Sequence, residues 1–467
     1  MSDYRDFIAS KSRVHRRDGV DISVNWLAKR CPSAFAWQLR TVSQLLAFGC
    51  GAIFAGCGLG KTLMQLLWAD AIRHATATSV VVHCPLGVRS QTVREAAKFG
   101  IGNVVAVNDP GEIPDQPTIV VVNYEKAEAF REVDFAGVVL DESSILKSFT
   151  GATKRMLIER YAETPYRLCC TATPAPNDHM ELGNHAEFLS VMRSNEMLSR
   201  WFINDTMQAG GYRLRGHAQR DFWRWVTTWA VCISKPSDVG GSDEGYDLPP
   251  LEIHRHFVDA DPTEEMGNGQ LFDTAGISAT NLHAIKRRTL DARCQRAIEI
   301  ANSMDLPSIV WVETNAEADI VKAAIRDCNE VRGSDSDERK SAAFTSFSVG
   351  AARVMVTKPS IGGFGLNWQH CRRMVFVGLS FSYEQFYQAV RRCYRFGQEG
   401  AVEVHVVLAN GDSSLWSTIM QKQGAHEVMQ EGMAAAMREA RGQEQTRLNT
   451  SVGNVIATLP EFVGRTA

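Results

Sequence analysis

The sequence predicts an α/β protein made of two tandem parallel-sheet lobes, with a helical insertion between them and a helical C-terminal tail. Short β-branched runs alternate with helical stretches in both halves of the chain, as at residues 79–84 and 118–122 and again at 308–312. Runs that are apolar on both faces are typical of parallel strands covered by helices. The chain of 467 residues is long enough for about three domain-sized units.

These patterns divide the chain into four parts. We predict an ATP-binding lobe over residues 1–180, a helical insertion and linker over 181–250, a second lobe over 251–415 and a helical tail over 416–467. The linker ends in a glycine-rich stretch followed by two prolines, which predicts a flexible connection.

The composition favours a soluble globular protein, with 45% hydrophobic and 22% charged residues. No apolar run approaches the roughly 18 residues that span a membrane, and the N-terminus lacks a signal-peptide core. We therefore expect a cytoplasmic protein with no membrane partner. The net charge of −3 argues against coating nucleic acid by bulk positive charge. The eleven cysteines show no Cys-x-x-Cys spacing, which favours free thiols in a reducing compartment.

Residues 51–62 run from an apolar strand through a glycine-rich turn into an apolar helix. Gly58 and Gly60 would let backbone N–H groups close around phosphate oxygens at the helix N-terminus. Lys61 would add a cation at the β and γ phosphates, and Thr62 a hydroxyl for Mg²⁺. This stretch predicts a nucleotide site.

An aromatic and amide pair precedes this loop by about twenty residues, in Phe35-Ala36-Trp37-Gln38. A ring can stack on adenine, and the Gln38 amide can both donate to and accept from its edge. We predict Gln38 as an adenine contact and leave the stacking ring open between Phe35 and Trp37.

The carboxyl ends of parallel strands, where ligands bind, carry the next candidates. Asp141 directly follows a buried run and is predicted to hold Mg²⁺; Glu142 is the predicted general base for the attacking water. Pro85 and Asn123 end two further runs, and we predict both as nucleic-acid contacts.

Residues 140–147 and 171–177, together with the Ala-x-x-Gly-x-Gly-Lys-Thr form of the loop, resemble motifs of Swi/Snf-type ATPases within helicase superfamily 2. The whole also resembles compact helicases encoded by bacteriophages, which would place the protein in the host cytoplasm. The resemblance implies RecA-like lobes and assigns Ser144, Thr171 and Thr173 to coupling between the ATP site and the nucleic-acid site. Ser144 stands where family members usually have histidine.

The second half shows no second phosphate loop, so one ATP would be bound by the first lobe and completed by the second. Residues 333–339 and 357–367 resemble second-lobe motifs of the family. The resemblance assigns Gly333 and Thr357 to nucleic acid and Gly365 to ATP. The second motif carries two extra residues between Thr357 and its glycine pair.

The stretch from Gln388 to Gln398 is the most specific second-lobe signal. On a helix, Arg392 and Arg395 would share one face and reach the same charge across a cleft. Guanidinium groups at the γ-phosphate stabilise charge that develops in the transition state. The pattern Gln-Ala-x-x-Arg-x-x-Arg-x-Gly-Gln resembles the sixth motif of Swi/Snf-type ATPases, which also assigns Gln388 to ATP.

The insertion mixes arginines with tryptophans. Arg213, Arg215 and Arg220 are candidates for gripping a nucleic-acid backbone, with neighbouring rings stacking on bases. For the tryptophans, the core of a helical insertion is the favoured alternative, with Trp225 and Trp229 at i and i+4.

These observations predict an ATP- and Mg²⁺-dependent DNA translocase or helicase that hydrolyses ATP between its lobes. Double-stranded or branched DNA is the substrate that the resemblance favours. A strand-separating helicase is the near alternative, and an ATP-gated clamp that loads a partner onto DNA is an alternative of another class. A site that closes within one chain needs no second subunit, so a monomer suffices.

Overall fold

A computed structural model describes residues 19–85, 87–148, 151–205, 211–259, 286–362, 367–410 and 412–452, with backbone alone for 205, 337 and 443–452. Two parallel sheets with covering helices follow one another along the chain. This confirms the predicted α/β class with two tandem lobes.

The first lobe is built on a seven-stranded parallel sheet. The strands up to residue 233 are β1 (Cys50–Ala55), β2 (Val80–Cys84), β3 (Val104–Ala106), β4 (Ile119–Asn123), β5 (Gly137–Asp141), β6 (Tyr166–Thr171), β7 (Phe202–Asp205), β8 (Gly211–Leu214) and β9 (Ala230–Ile233). The sheet order is β3-β4-β2-β5-β6-β1-β9, while β7 and β8 form a separate antiparallel hairpin. Because β5, β6 and β1 are neighbours, the segments that follow them meet at one edge.

Helices cover this sheet and lead into it. They are α1 (Val24–Arg30), α2 (Ala36–Phe48), α3 (Lys61–Thr76), α4 (Arg89–Lys98), α5 (Ala152–Arg160), α6 (Leu182–Phe188), α7 (Ser194–Trp201) and α8 (Gln219–Val226). Every residue of β1, β2, β4 and β5 is buried, which is what helices on both faces of a parallel sheet require.

The stretch predicted as a helical insertion differs from expectation. It contains α6 to α8, but also the β7–β8 hairpin and β9, which pairs in parallel with β1 from Ala52↔Ala230 to Ala55↔Ile233. The sheet of the first lobe therefore takes a strand from beyond residue 180. This strand is only four residues long, too short to stand out from the helical pattern around it.

The second lobe is a six-stranded parallel sheet in the order β10-β15-β14-β11-β13-β12. Its strands are β10 (Leu251–Val258), β11 (Ser308–Trp311), β12 (Cys328–Val331), β13 (Val354–Thr357), β14 (Arg373–Phe376) and β15 (Val402–Ala409). Its helices are α9 (Leu290–Asn302), α10 (Asn315–Ala324), α11 (Asp337–Ser348), α12 (Pro359–Gly362) and α13 (Tyr383–Val390).

The predicted helical tail is α14 (Ser413–Val452), and it contacts both lobes. Leu415 and Ile419 near its start belong to the core of the second lobe. Met429 and Met433, farther along, are buried in the core of the first. In the described part of the chain, no helix is long and apolar enough to cross a membrane.

Candidate active site

The glycine-rich loop joins the end of β1 to the start of α3. Gly58 and Gly60 have φ values of 90° and 77°, a region that glycine enters without steric penalty. Lys61 begins α3, and its ammonium group donates to the carbonyl oxygens of Ala55 (2.9 Å) and Gly56 (3.5 Å). The loop therefore combines a helix N-terminus with a lysine held over it, an arrangement suited to phosphate.

Gln38, on α2, is fixed against this loop. Its side-chain oxygen accepts from the Phe35 backbone N–H (3.0 Å), and its side-chain nitrogen donates to the Leu59 carbonyl (3.1 Å). A Cβ at Gly60 would lie 2.4 Å from that nitrogen and would displace the Gln38 amide, while the φ of 77° itself favours glycine. Of the two rings that the sequence left open, Phe35 is 50% exposed and Trp37 only 4%. Phe35 is thus the ring with surface available for stacking.

The carboxylate pair lies at the end of β5. Asp141 is buried, and its pKa is raised to about 7, first by burial and then by the charge of Glu142. Glu142 has a φ of 55°, a left-handed conformation that costs a non-glycine residue on the order of 1 kcal/mol. Such strain is concentrated at functional sites.

Hydrogen bonds connect this pair to the segment after β6. The Thr171 hydroxyl donates to the Glu142 carboxylate (3.2 Å) and accepts from the Thr173 backbone N–H (3.1 Å). The Ser144 hydroxyl makes a longer contact to the Glu142 carbonyl (3.5 Å). All three residues predicted to couple the two sites therefore lie within two hydrogen bonds of Glu142.

The oxygen donors near the loop fit Mg²⁺. This ion prefers oxygen ligands and keeps several waters, with substrate phosphates completing its shell. The Asp141 carboxylate and the Thr62 hydroxyl, on the first turn of α3, would hold it. The burial that raises the pKa of Asp141 is a cost that a divalent cation would offset.

The predicted arginine pair comes from the second lobe. Burial lowers the pKa of Arg392 to about 10 and also lowers the pKa of Arg395. A Cβ at Gly58 would lie 3.1 Å from the Phe396 backbone nitrogen and 3.6 Å from the Arg395 Cβ. The segment that carries the arginines therefore packs directly on the glycine-rich loop of the first lobe.

The prediction that both arginines lie on one helix is wrong. α13 ends at Val390, and the following residues form a series of turns. The Arg392 carbonyl accepts from the Trp368 backbone N–H (3.0 Å), a tertiary bond that replaces the next helical one. The turns still place the two arginines together at the loop.

The other ATP candidates of the second lobe have different outcomes. Gln388 lies on α13 and is 2% exposed, and neither of its amide atoms has a hydrogen-bond partner among the described residues. A buried amide without a partner is unusual in proteins, and the assignment of Gln388 to ATP stays a prediction. Gly365 lies outside the described residues.

A cleft of about 560 Å³ lies between the two lobes. Pro85, Glu142 and Ser144 line it from the first lobe, and Gly333 and Lys340 from the second. Two predicted nucleic-acid residues thus face each other across this cleft, next to the predicted general base.

Two further nucleic-acid candidates support the cleft without lining it. Asn123 is 3% exposed, and its amide donates to the Pro85 carbonyl (3.2 Å). Thr357 is 1% exposed, and its hydroxyl donates to the Val331 carbonyl within the second sheet (3.0 Å).

The arginines of the insertion lie elsewhere. Arg213 is exposed on β8, Arg215 donates to the carbonyls of residues 199 and 200, and Arg220 pairs with Glu439 of α14 (2.7 Å). None of the three lines the cleft. Trp225 and Trp229 are buried and their rings lie 5.5 Å apart, so they form part of the core, as the structural alternative predicted.

Two contacts of the second lobe, one with the first lobe and one with the connection between the lobes, have no counterpart in the sequence motifs. Lys147 pairs with Glu384 across the cleft (2.5 Å), and Tyr246 of the connection stacks on Phe396 with ring centroids 4.4 Å apart. The two residues of each pair are common residue types and lie far apart in the sequence, so neither pair forms a recognisable motif.

Comparison with known proteins gives a partial match. Residues 292–397 match the helicase conserved C-terminal domain, a range that includes both arginines and supports a resemblance to superfamily-2 helicases. A search of curated proteins gave no match. The chain is also similar to the Sulfolobus solfataricus SWI2/SNF2 ATPase core in complex with dsDNA, at 16% identity over 91% of this chain and 97% of that one, with a TM-score of 0.40. That degree of likeness says nothing about the site or its substrate.

Proposed function

We propose that this chain is a nucleic-acid-dependent ATPase that hydrolyses ATP between its lobes and uses the resulting motion to move along or remodel DNA. The observation that carries the proposal is the contact of Arg395 and Phe396 with Gly58 of the phosphate loop. This contact supports the proposal because the segment that carries the two arginines packs on the loop that we propose binds phosphate. The match of residues 292–397 to the helicase C-terminal domain supports the same conclusion.

In this proposal the first lobe binds the nucleotide. Gln38 reads the adenine edge, the loop amides and Lys61 hold the phosphates, and Thr62 with Asp141 would hold Mg²⁺. Bound Mg²⁺ would neutralise charge on the β and γ phosphates. Glu142 orients the attacking water and accepts its proton.

The second lobe accelerates the reaction. Arg392 and Arg395 stabilise charge on the γ-phosphoryl group, an effect worth roughly 10³ to 10⁵ in rate for such arginines. Loss of the γ-phosphate removes the group that draws them to the first lobe, so hydrolysis permits the lobes to separate.

Nucleic acid would bind in the cleft, where both lobes contribute residues. Closing and opening of the lobes would then move their nucleic-acid contacts relative to each other. The Thr171 hydroxyl donates to the Glu142 carboxylate and accepts from the Thr173 backbone N–H. These bonds link the segment after β6 to Glu142, which also lines the cleft. The resemblance of the motifs to Swi/Snf-type ATPases favours duplex DNA.

The experiment is steady-state ATPase activity with no nucleic acid, single-stranded DNA, duplex DNA, forked DNA and RNA, at one fixed low salt concentration because phosphate contacts are salt-sensitive. Strong stimulation by plain duplex would support the translocase. Stimulation only by single strands or forks would favour a strand-separating helicase. Activity that no nucleic acid changes would contradict the proposal.

Two additions sharpen this experiment. Displacement of a triplex-forming oligonucleotide separates a translocase from a clamp, since a clamp would hydrolyse ATP without moving. Glu142→Gln should bind ATP normally but turn over at least roughly 10²-fold more slowly, and normal turnover would remove Glu142 from the role of general base.

A further inference from the structure

The connection between the lobes comprises residues 234–250 and includes the glycine-rich stretch 240–245, which the sequence predicts to be flexible. In the structure its own carboxylates fold it. Asp238 accepts from the backbone N–H groups of Ser234 (2.9 Å) and Lys235 (3.0 Å). Asp243 accepts from the Ser237 backbone N–H (2.7 Å). These bonds form two successive turns, so the connection has a defined shape.

This folded connection is seated on both α2 and α14. The Gly240 carbonyl accepts from Arg40 of α2 (3.0 Å). A Cβ at Gly241 would lie 2.6 Å from the Trp37 ring, so the backbone touches that ring. On the other side, Arg438 of α14 pairs with Asp238 (2.8 Å), whose side chain is fully buried.

Tyr246, at the end of this folded part, contacts the arginine segment. Its ring stacks on Phe396 at 4.4 Å and 28°, and its edge meets Trp37 at 6.5 Å. Phe396 directly follows Arg395, and its backbone nitrogen lies against Gly58. A continuous set of contacts therefore runs from α2 through Tyr246 to the point where the second lobe meets the phosphate loop.

A small cavity of about 70 Å³ lies beside this contact. Gly56 and Cys57 of the loop, Arg391 and Phe396 of the second lobe and Tyr246 all line it. Removing the tyrosine ring would enlarge the cavity and leave Phe396 without support on that side. Packed interiors transmit such a change to neighbouring groups because they have little free volume.

We propose that Tyr246 is a positioning residue for the arginine pair. Its ring holds Phe396, and through the adjoining backbone it holds Arg395 against the phosphate loop. The proposal rests on the ATPase function proposed above. Because the nucleotide is bound by the first lobe and the arginines act on transition-state charge, losing the ring should lower kcat without a matching rise in KM.

The test compares the full chain with Tyr246→Ala, Tyr246→Phe and Asp247→Ala, an exposed neighbour that serves as control. We expect Tyr246→Ala to lower DNA-stimulated kcat by about 10-fold, with KM for ATP within about 2-fold of wild type. A loss of this size corresponds to the interaction free energy of one stacked aromatic pair. Tyr246→Phe keeps the ring and should retain most of the activity. An unchanged kcat in Tyr246→Ala, or an equal loss in Tyr246→Phe, would overturn the proposal.

A double variant tests whether the effect passes through Phe396. If Tyr246 acts through that ring, Tyr246→Ala combined with Phe396→Ala should be no slower than Phe396→Ala alone. Independent losses that multiply would overturn the proposal. If Tyr246→Ala does not fold, Tyr246→Leu, which preserves apolar bulk without the stacked ring, takes its place with the same expectation.

Amide hydrogen exchange separates this inference from the proposed function. In Tyr246→Ala, exchange at residues 392–398 should speed up severalfold while that of β11 and β14 stays unchanged. This readout needs no hydrolysis. An inactive wild-type protein would refute the ATPase, whereas unchanged exchange at 392–398 would refute the positioning role even in an active enzyme.

Discussion

The two lobes are built on the same kind of parallel sheet but carry different chemistry. In the first, adjacent strands β5, β6 and β1 bring the carboxylate pair, the Thr171 segment and the phosphate loop to one edge. In the second, the group that meets this edge is an arginine pair on a series of turns. Under the proposed function, nucleotide binding and rate acceleration would therefore lie on different lobes, and mutations should separate them.

The largest expected effect is that of Lys61→Ala. Under the proposed function, Lys61 would serve both ground-state binding and transition-state stabilisation. We therefore expect kcat/KM to fall by more than roughly 10³-fold and nucleotide affinity to fall with it. Steady-state ATPase kinetics and titration with a fluorescent ATP analogue measure the two quantities. Lys98→Ala, an exposed lysine on α4, is the control. Retained affinity would mean that the first lobe does not hold the phosphates through this lysine.

Arg395→Ala tests the other side of the comparison. We expect kcat to fall by roughly 10³-fold while nucleotide affinity stays within a few-fold of wild type, because in the proposed function the first lobe holds the nucleotide. Arg326→Ala, an exposed arginine of the second lobe, should have wild-type kinetics. If nucleotide affinity and kcat fall together in Arg395→Ala, the proposal that the first lobe binds the nucleotide and the second accelerates its hydrolysis is wrong.

The parts of the site that the sequence predicts are those that lie within a single lobe. The loop from Gly58 to Thr62, the pair at Asp141 and the Thr171 segment were predicted because each is contiguous in sequence and follows a strand with an obvious apolar run. Parallel topology then brings such segments to one edge without further information. The fold class followed from the same runs.

What could not be predicted depends on contacts between separate bodies. The strand Ala230–Ile233 was missed because four apolar residues among helical ones carry little periodicity. The turn at Arg392 depends on a bond from Trp368, and the role of Tyr246 depends on how the connection folds. Such features are set by tertiary partners, which a local pattern does not contain.

Acid should destabilise the first lobe through two of its histidines. His83 and His185 are fully buried in the first lobe, and burial lowers their pKa values to about 3 and about 4. Both are neutral when folded and would protonate on unfolding near pH 6.5, so their contribution is present above pH 6.5 and is lost as the pH falls toward 4. Between pH 7 and pH 5 each should cost about 2 kcal/mol of unfolding free energy.

Denaturant unfolding followed by tryptophan fluorescence measures this loss, since seven of the ten tryptophans precede residue 230 and report on the first lobe. His185→Asn should reduce the loss of unfolding free energy between pH 7 and pH 5 by about 2 kcal/mol, the contribution of one histidine. His217→Gln, at an exposed position, should leave it unchanged. A pH profile identical in wild type and His185→Asn would contradict the assignment.

The smallest expected effect concerns the contact that joins the lobes across the cleft. Lys147 is 42% exposed and Glu384 9%, so the pair is partly screened and worth no more than about 1 kcal/mol. Lys147→Glu places two carboxylates together, which disfavours the closed arrangement and should raise KM for ATP by a few-fold. The exchanged pair Lys147→Glu with Glu384→Lys should restore it, and the single-variant defect should shrink as salt rises. A defect that the exchange does not repair would show that Lys147 acts on the cleft itself and not through the second lobe.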